Sequence, residues 1–521
     1  MSSVTRELFA GSPAPTRPGT LLRLAVAIVS PLCLSLAFPK LDWSAFALVS
    51  LAPLFWSWSK SSWKRAFFDG WLSGTIFFFV MCFWMTNSLG DYIGQWKLVA
   101  GVLLAAFEGL SFATVGALTS IVCQGEIGAT AVFALPSAWL LVESVRTRGS
   151  WGVPFGELGL VGAHAQWLLP VAAFGGVYAL TAIVALCNSA LAGLIVGTRN
   201  ARIAGVVAIA AIVLVVATAD FMRARVSVDP PSVRVAVAQG GISQREKWSP
   251  SVFEHTMAVY SDLTHRAAAQ GASVVIWPET AITSNPLQDP SLLAYLERLA
   301  AANKVWLIAG AIDRPQEDTL YNSVLQLSPT GAFIKKYDKH ILVPFAEYLP
   351  FEHALRGLPL FGEASHFSSG PGPSLFDAAG FSFGPLVCYE SAFAPYAREI
   401  ANAGGDVLVI VTDDAWFGDT SGPYQHAEMS VVDAVETGRW VVRGGDTGIS
   451  EIIDPKGRVV QSLGLSDTSG VLTGEVGKPV DAPYVRWGIW WLLVVAGATL
   501  AWGLYPRRRI AHGWRSRRGR A

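Results

Sequence analysis

Charge is what this chain has least of. Only 15% of its 521 residues are Asp, Glu, Lys or Arg, where an ordinary soluble domain carries about 25%. The 39 basic and 39 acidic side chains cancel to a formal net charge of zero, which gives no electrostatic reason to expect nucleic acid. Cysteine is scarce too. The five, Cys33, Cys82, Cys123, Cys187 and Cys388, include no Cys-x-x-Cys pair, so neither a zinc ribbon nor a dithiol redox motif is supported. There is no His-Glu-x-x-His, no phosphate-binding glycine loop, and no Gly-x-Ser-x-Gly elbow in the polar half. No internal repeat and no low-complexity linker is evident, and no pattern calls for a metal or another cofactor.

Apolar length stands in place of charge. Hydrophobic residues reach 52%, and mean hydropathy is +0.41. Apolar stretches of about 17–25 residues can cross a bilayer as helices. They occur near 21–38, 44–58, 67–89, 98–123, 127–142, 168–196 and 203–219, with an eighth near 487–504. A cleaved signal peptide is the alternative for the first, but no small-x-small cleavage site follows Phe38. Cys33, Cys82, Cys123 and Cys187 fall inside these runs, where a cysteine acts as a small hydrophobe.

Basic residues predict the orientation. Lys60, Lys64 and Arg65 follow the second stretch, and Arg199 and Arg202 precede the seventh. Arg6, Arg17 and Arg23 begin the chain, and Arg507, Arg508, Arg509, Arg515, Arg517, Arg518 and Arg520 end it. All fall on one side if seven spans precede the polar segment; Arg146 and Arg148 are exceptions. That side should be cytoplasmic, which puts both termini in the cytoplasm and the polar domain outside, in the periplasm of a two-membraned bacterium. The basic tail alone would also suit nucleic acid, but a topology signal is the more ordinary explanation. The expected division is a membrane domain at 1–220, an outward domain at 221–482, and a last span with a basic tail at 483–521.

The outward segment reads as α/β. Short apolar runs predict strands at 233–238, 273–277, 305–311, 381–387 and 406–411, with lesser strands at 323–327, 333–337, 449–453 and 459–462. Helical patterns lie between them at 251–269, 291–302, 393–403 and 425–438. Helices layered on sheet follow from this alternation, and sites in such folds gather at strand ends.

Three residues at such ends carry chemistry. Cys388 is the only cysteine of the polar half, in Val387-Cys388-Tyr389-Glu390-Ser391. A thiol attacks an acyl carbon as thiolate, so a base must take its proton. Glu279, in Trp277-Pro278-Glu279-Thr280, follows an apolar strand where burial would suit that task. The tetrahedral oxyanion needs fixed positive charge or N–H donors, and Lys339 with the Tyr389 main-chain N–H would supply them. Glu347 is a second carboxylate that could orient Lys339 or the thiol. Singly, each has a plainer reading: Glu279 as an acid opening a helix, Lys339 as a solvated loop lysine beside Lys335 and Lys336, Glu347 as a surface acid.

Together the three segments resemble the nitrilase superfamily, whose domain is a four-layer α-β-β-α sandwich with a Glu-Lys-Cys triad. Trp277-Pro278-Glu279, the Lys-x-x-Leu-Val-Pro-Phe-x-Glu of 339–347, Cys388-Tyr389-Glu390, Asp414-Ala415-Trp416-Phe417-Gly418-Asp419 and Gly422-Pro423-x-Gln425-His426 are similar to the apolipoprotein N-acyltransferase family. So is the membrane architecture around them, and the resemblance spans nearly the whole chain. It implies a polytopic helical membrane domain of about eight spans with an inserted α-β-β-α sandwich. It makes Glu279 the general base, Lys339 the oxyanion stabiliser and Cys388 the nucleophile. Trp248 matches a functional tryptophan, and Glu347, Tyr389 and Glu390 match residues around the thiol. The segments 139–146 and 175–178 are also similar, and Glu143 and Arg146 are expected to pair.

The implied reaction is ping-pong. Cys388 takes an acyl chain from a membrane phospholipid, typically phosphatidylethanolamine, and the α-amine of an S-diacylglyceryl-cysteine apolipoprotein then takes it from the thioester. No metal or nucleotide is needed. Asp413 and Asp446 stand where the family pattern has Asn, Ala346 where it has Gly, Ile341 where it has His, and Asp433 where it has a basic residue. These departures bear on loop geometry and acceptor recognition. Phe351, Leu355, Leu358, Leu360 and Phe361, on the segment 348–367, are expected to dip into the outer leaflet as a gate or to pack on the sandwich. Three other readings compete: a tethered nitrilase or amidase acting on a small amide, a papain-like hydrolase pairing Cys388 with His340 or His426, and a non-enzymatic transporter or scaffold.

Overall fold

Runs such as Val407–Thr412 are apolar on both faces, which suits strands buried from both sides. The computed structural model describes residues 18–88, 94–149, 151–228, 230, 232–350, 366–465 and 469–505. Its strands are β1 (Val233–Gln239), β2 (Val274–Ile282), β3 (Trp306–Gln316), β4 (Thr319–Leu327), β5 (Phe333–Asp338), β6 (Phe376–Ala378), β7 (Phe381–Val387), β8 (Val407–Thr412), β9 (Trp440–Gly445), β10 (Ser450–Ile453), β11 (Val459–Leu463) and β12 (Gly470–Val476). They form two six-stranded sheets, ordered β12-β1-β2-β3-β4-β5 and β11-β10-β9-β8-β7-β6. The central strands β1, β2 and β3 are parallel, as are β7, β8 and β9, and the flanking strands are antiparallel.

Side chains two apart share a face of a strand, and this sorts the core into layers. Val233, Val235 and Val237 of β1 meet Val407, Val409 and Val411 of β8 between the sheets. Ala236 and Ala238 face the other way, onto Tyr260 and Leu263 of the helix Pro250–Ala269 and Leu296 of Pro290–Asn303. Leu408 and Ile410 pack on Ala397 and Ile400 of Ala394–Asn402 and on Val432 and Val435 of Gly422–Thr437. The expected strand at 273–277 runs further, through Glu279 to Ile282. Glu279 therefore lies within a strand, and the reading of Pro-Glu-Thr as a helix start is corrected.

Each of the eight apolar stretches contains helix. The segments are Thr20–Ser35, Ala52–Ser59, Trp63–Met81, Lys97–Glu108 with Leu110–Cys123, Ala129–Arg146, Ala172–Val196, Arg199–Arg225 and Trp490–Leu504. Among the described residues, Gly94–Cys123, Leu169–Val196 and Arg199–Arg225 are long and apolar enough to cross a membrane. Val206, Val207, Val213 and Leu214 on the last are exposed, an apolar face suited to lipid rather than water. The expected helix at 98–123 divides at Gly109, where another backbone crosses: a Cβ on Gly74 would lie 2.7 Å from Gly109 Cα.

Arg146 explains its departure from the charge pattern. It is buried, with Nη1 3.1 Å from Glu108 and donating to the carbonyl of Phe155 at 3.2 Å. A buried, paired arginine no longer reports the membrane side. Its expected partner Glu143 is 4.0 Å away, so the closer acid comes from a different helix.

The membrane helices meet the α/β part along the segment carrying the motifs. Tyr389 Oη donates to Gly152 O at 2.6 Å, Ser88 Oγ to Trp416 O at 2.7 Å, and Gln425 Nε2 to Met81 O at 3.0 Å. Trp84 packs edge-on against Phe417 with ring centroids 4.5 Å apart. The expected gate residues at 351–361 lie outside the described residues.

Candidate active site

The site is built at the carboxyl ends of the parallel strands. Cys388 follows β7 and opens a short 3₁₀ turn, Cys388–Ala392. Its φ is +50°, a conformation that costs a non-glycine residue of order 1–3 kcal/mol and is found where surrounding structure enforces it. Glu390 supplies that enforcement. Its buried carboxylate accepts from Val387 N at 2.7 Å, His340 N at 2.7 Å, Ile341 N at 3.0 Å and the Tyr337 hydroxyl at 2.7 Å. One side chain thus ties the turn after β7 to the loop after β5, which carries Lys339.

Glu279 reaches the same place through an irregularity. The β2–β3 register shifts between Trp277 and Ile282, and a bulge of this kind re-aims side chains. The opposing strand makes room with Gly310, where a Cβ would fall 2.2 Å from Pro278 O and 2.8 Å from Glu279 Cα.

Lys339 is 1% exposed, and an ammonium so buried has to be paired. Its Nζ lies 2.8 Å from Glu347 Oε1 and 3.6 Å from Glu279 Oε1. Glu279 Oε1 also accepts from Asn322 Nδ2 at 2.7 Å, and its Oε2 from the Asp413 main-chain N–H at 3.0 Å. Burial pulls the Lys339 pKa down, and the charges of Glu347 and Glu279 more than reverse this, so the lysine stays cationic. Cys388 is partly accessible, yet its close-packed surroundings push the thiol well above the usual range. Glu279 adds to that shift, and Lys339 and a Thr412 hydrogen bond oppose it. A thiol so raised is neutral at rest and needs a base at the moment of attack. The arrangement offers a carboxylate, a fixed cation and a thiol that sense one another's charge.

The other expected residues are less central. Glu347 lies against Lys339 and also accepts from Val343 N at 2.8 Å. Tyr389 ties the turn through its hydroxyl to Gly152, in the loop after the helix Ala129–Arg146. Trp248 is half exposed. The two histidines face elsewhere: His340 Nδ1 pairs with Gly370 O at 2.7 Å, and His426 with the Cys388 carbonyl at 3.1 Å and Asp414 at 3.0 Å. Burial and the adjacent Arg443 hold His426 below its ordinary pKa. A papain-like pairing of thiol and imidazole therefore finds no support in the geometry. Asn322 and Lys247 were not singled out in the sequence. Lys247 Nζ lies 2.6 Å from Asp413 Oδ2 and 3.0 Å from Asp446 Oδ2, and donates to Glu279 O at 3.0 Å. Their only signal was polarity in a charge-poor chain, which does not say where a side chain points. Asp42, His164 and Glu428 form a separate group of potential metal ligands, their donor atoms within 4.8 Å of one another.

The chain resembles known proteins along almost its whole length. Residues 234–479 match the carbon-nitrogen hydrolase family, and residues 30–190 match the apolipoprotein N-acyltransferase N-terminal domain. It is 33% identical to the apolipoprotein N-acyltransferase of Geobacter metallireducens, covering 94% of this chain and 96% of that one. With the apolipoprotein N-acyltransferase of Azotobacter vinelandii it shares 32% identity over 95% and 96%. Among solved structures, an amidase from Nesterenkonia sp. aligns at 18% identity and a TM-score of 0.38, covering 55% of this chain and 98% of that one. From the full-length relatives, the chain belongs to the apolipoprotein N-acyltransferase family.

Proposed function

We propose that this enzyme, an acyltransferase in a bacterial membrane, moves an acyl chain from a phospholipid to the N-terminal amine of a diacylglyceryl-cysteine apolipoprotein, through a thioester on Cys388. Glu279 takes the thiol proton as Sγ attacks the ester carbonyl. Lys339 and the Tyr389 N–H hold the oxyanion. Collapse expels the lysophospholipid alkoxide, which recovers the proton from Glu279. The lipoprotein amine then attacks the thioester and Glu279 takes its proton. The amide forms, and the proton returns to the departing thiolate. The donor is phosphatidylethanolamine.

The observation that carries this reading is Lys339, buried and charged between Glu279 and Glu347 in the electrostatic field of Cys388. The Tyr389–Gly152 contact supports lipid substrates, since it ties the thiol's turn to a loop between the apolar helices. We read about eight spans, with domains at 1–220, 221–482 and 483–521. The exposed Lys64, Arg65, Arg199 and Arg202 mark the cytoplasmic side, which leaves the site periplasmic.

Intact mass tests the reading. Incubation with phosphatidylethanolamine adds one acyl chain to wild type and none to Cys388→Ala, and hydroxylamine removes it. A diacylglyceryl-cysteine peptide then discharges it as an amide. Release of free fatty acid at the same rate without peptide would favour the hydrolytic amidase reading instead.

A further inference from the structure

Lys247 has no exposed surface. A buried ammonium persists only where its N–H groups and charge are met. Here Nζ donates to Asp413 Oδ2 at 2.6 Å and to Glu279 O at 3.0 Å, and Asp446 Oδ2 lies 3.0 Å away as a second anion. Burial pulls its pKa down and the two aspartates more than reverse that, so the charge stays. Asp446 is itself held by the Tyr260 hydroxyl at 2.9 Å. These partners follow β8 and β9, while Lys247 ends the turn Gln244–Lys247. One ammonium therefore joins three segments to the main chain of Glu279.

We propose that Lys247 is a positioning residue for Glu279, and that Asp413 and Asp446 balance its charge. The inference rests on the acyl-transfer reading and deepens it. Glu279 lies where the β2 register shifts, and Lys247 donates to its carbonyl there. The Asp413 N–H fixes Oε2 from the same cluster, leaving Oε1 toward Lys339. Two acids match this need, because carboxylates hold a buried lysine charged more firmly than amides.

The test uses full-length enzyme in phosphatidylethanolamine nanodiscs and compares D413N/D446N with K247M/D413N/D446N. Both lack the buried anions, and they differ only at residue 247. K247M/D413N/D446N should melt no lower than D413N/D446N, because it lacks the unpaired buried ammonium. The maximal acylation rate of K247M/D413N/D446N should be about 100-fold lower, with the half-saturating lipid concentration unchanged. Equal acylation rates overturn the proposal. Should that variant lack a cooperative melt, K247Q/D413N/D446N, with a shorter and uncharged donor, takes its place. A loss beyond about tenfold then supports the proposal, and a rate equal to that of D413N/D446N overturns it. Absence of an acyl adduct on wild type would count against acyl transfer itself, not against the positioning role.

Discussion

Two buried lysines adjoin Glu279, and each lies between two carboxylates. Lys339 meets Glu347 at 2.8 Å and Glu279 at 3.6 Å, with the Cys388 thiol in its field. Lys247 meets Asp413 at 2.6 Å, Asp446 at 3.0 Å and the Glu279 carbonyl at 3.0 Å. The chemical parts are alike, but the packing differs. The Lys247 cluster is closed, with three oxygens within 3.0 Å of its ammonium nitrogen. The Lys339 cluster has one long contact, so an N–H is available to an oxyanion that exists only during reaction. A saturated ion cluster holds structure, and a slightly loose one can respond to new charge.

Breaking the closed cluster should cost the most. Lys247→Met with both aspartates retained strands two buried anions, a loss of about 3–5 kcal/mol in stability, read as a large fall in melting temperature. A shift near zero would mean the cluster is not closed. Lys339→Met should slow acylation about 100- to 1000-fold, the loss expected for one oxyanion donor. Lys339 also holds the thiol pKa down, so its removal should move alkylation of Cys388 by iodoacetamide to higher pH. Unchanged alkylation would separate Lys339 from the thiol.

Glu390→Gln tests what keeps the lysine loop and thiol turn together. An amide N–H₂ would face main-chain donors, costing about 1.5–3 kcal/mol and slowing acylation, measured by melting and intact-mass time course. Asp446→Asn should be the mildest change, about 1 kcal/mol, because its oxygen still accepts from Tyr260 and only the Lys247 contact is lost; a larger drop would give the second anion more weight. Asp413 adds a pH dependence. Burial, opposed by Lys247, pushes its carboxyl up to about 6 from 3.8. The folded state therefore binds more protons than the unfolded between those values, and stability falls as pH rises through that window. Asp413→Asn should remove this slope, and a wild-type melting temperature flat from pH 4 to about 6.5 would contradict it.

Much of this was legible in the sequence for definite reasons. Apolar runs give β1, β3, β7 and β8 because strands buried on both faces need apolar residues throughout. Glu279, Lys339 and Cys388 stood out as candidates because the chemistry restricts residue type and the adjoining motifs are distinctive. Other features were not legible. Glu279 was expected beyond its strand, since a bulge leaves no mark on hydrophobic pattern. Arg146 was assigned to Glu143, its neighbour on one helix, whereas helix packing brings Glu108 closer. Lys247 passed as flanking residue to Trp248.

The sequence by itself determined the apolar helices and the α/β order, and it singled out an acid, a lysine and a thiol as candidates. These depend on local periodicity and residue chemistry, which neighbouring residues specify. Only the tertiary structure decided which charges are paired. It brought Asp413 and Asp446 together around Lys247, set Glu347 against Lys339, and tied the Cys388 turn to a loop between the apolar helices. Such pairings join residues up to 237 positions apart, and a contact over that separation is fixed by how the sheets stack, not by any local pattern.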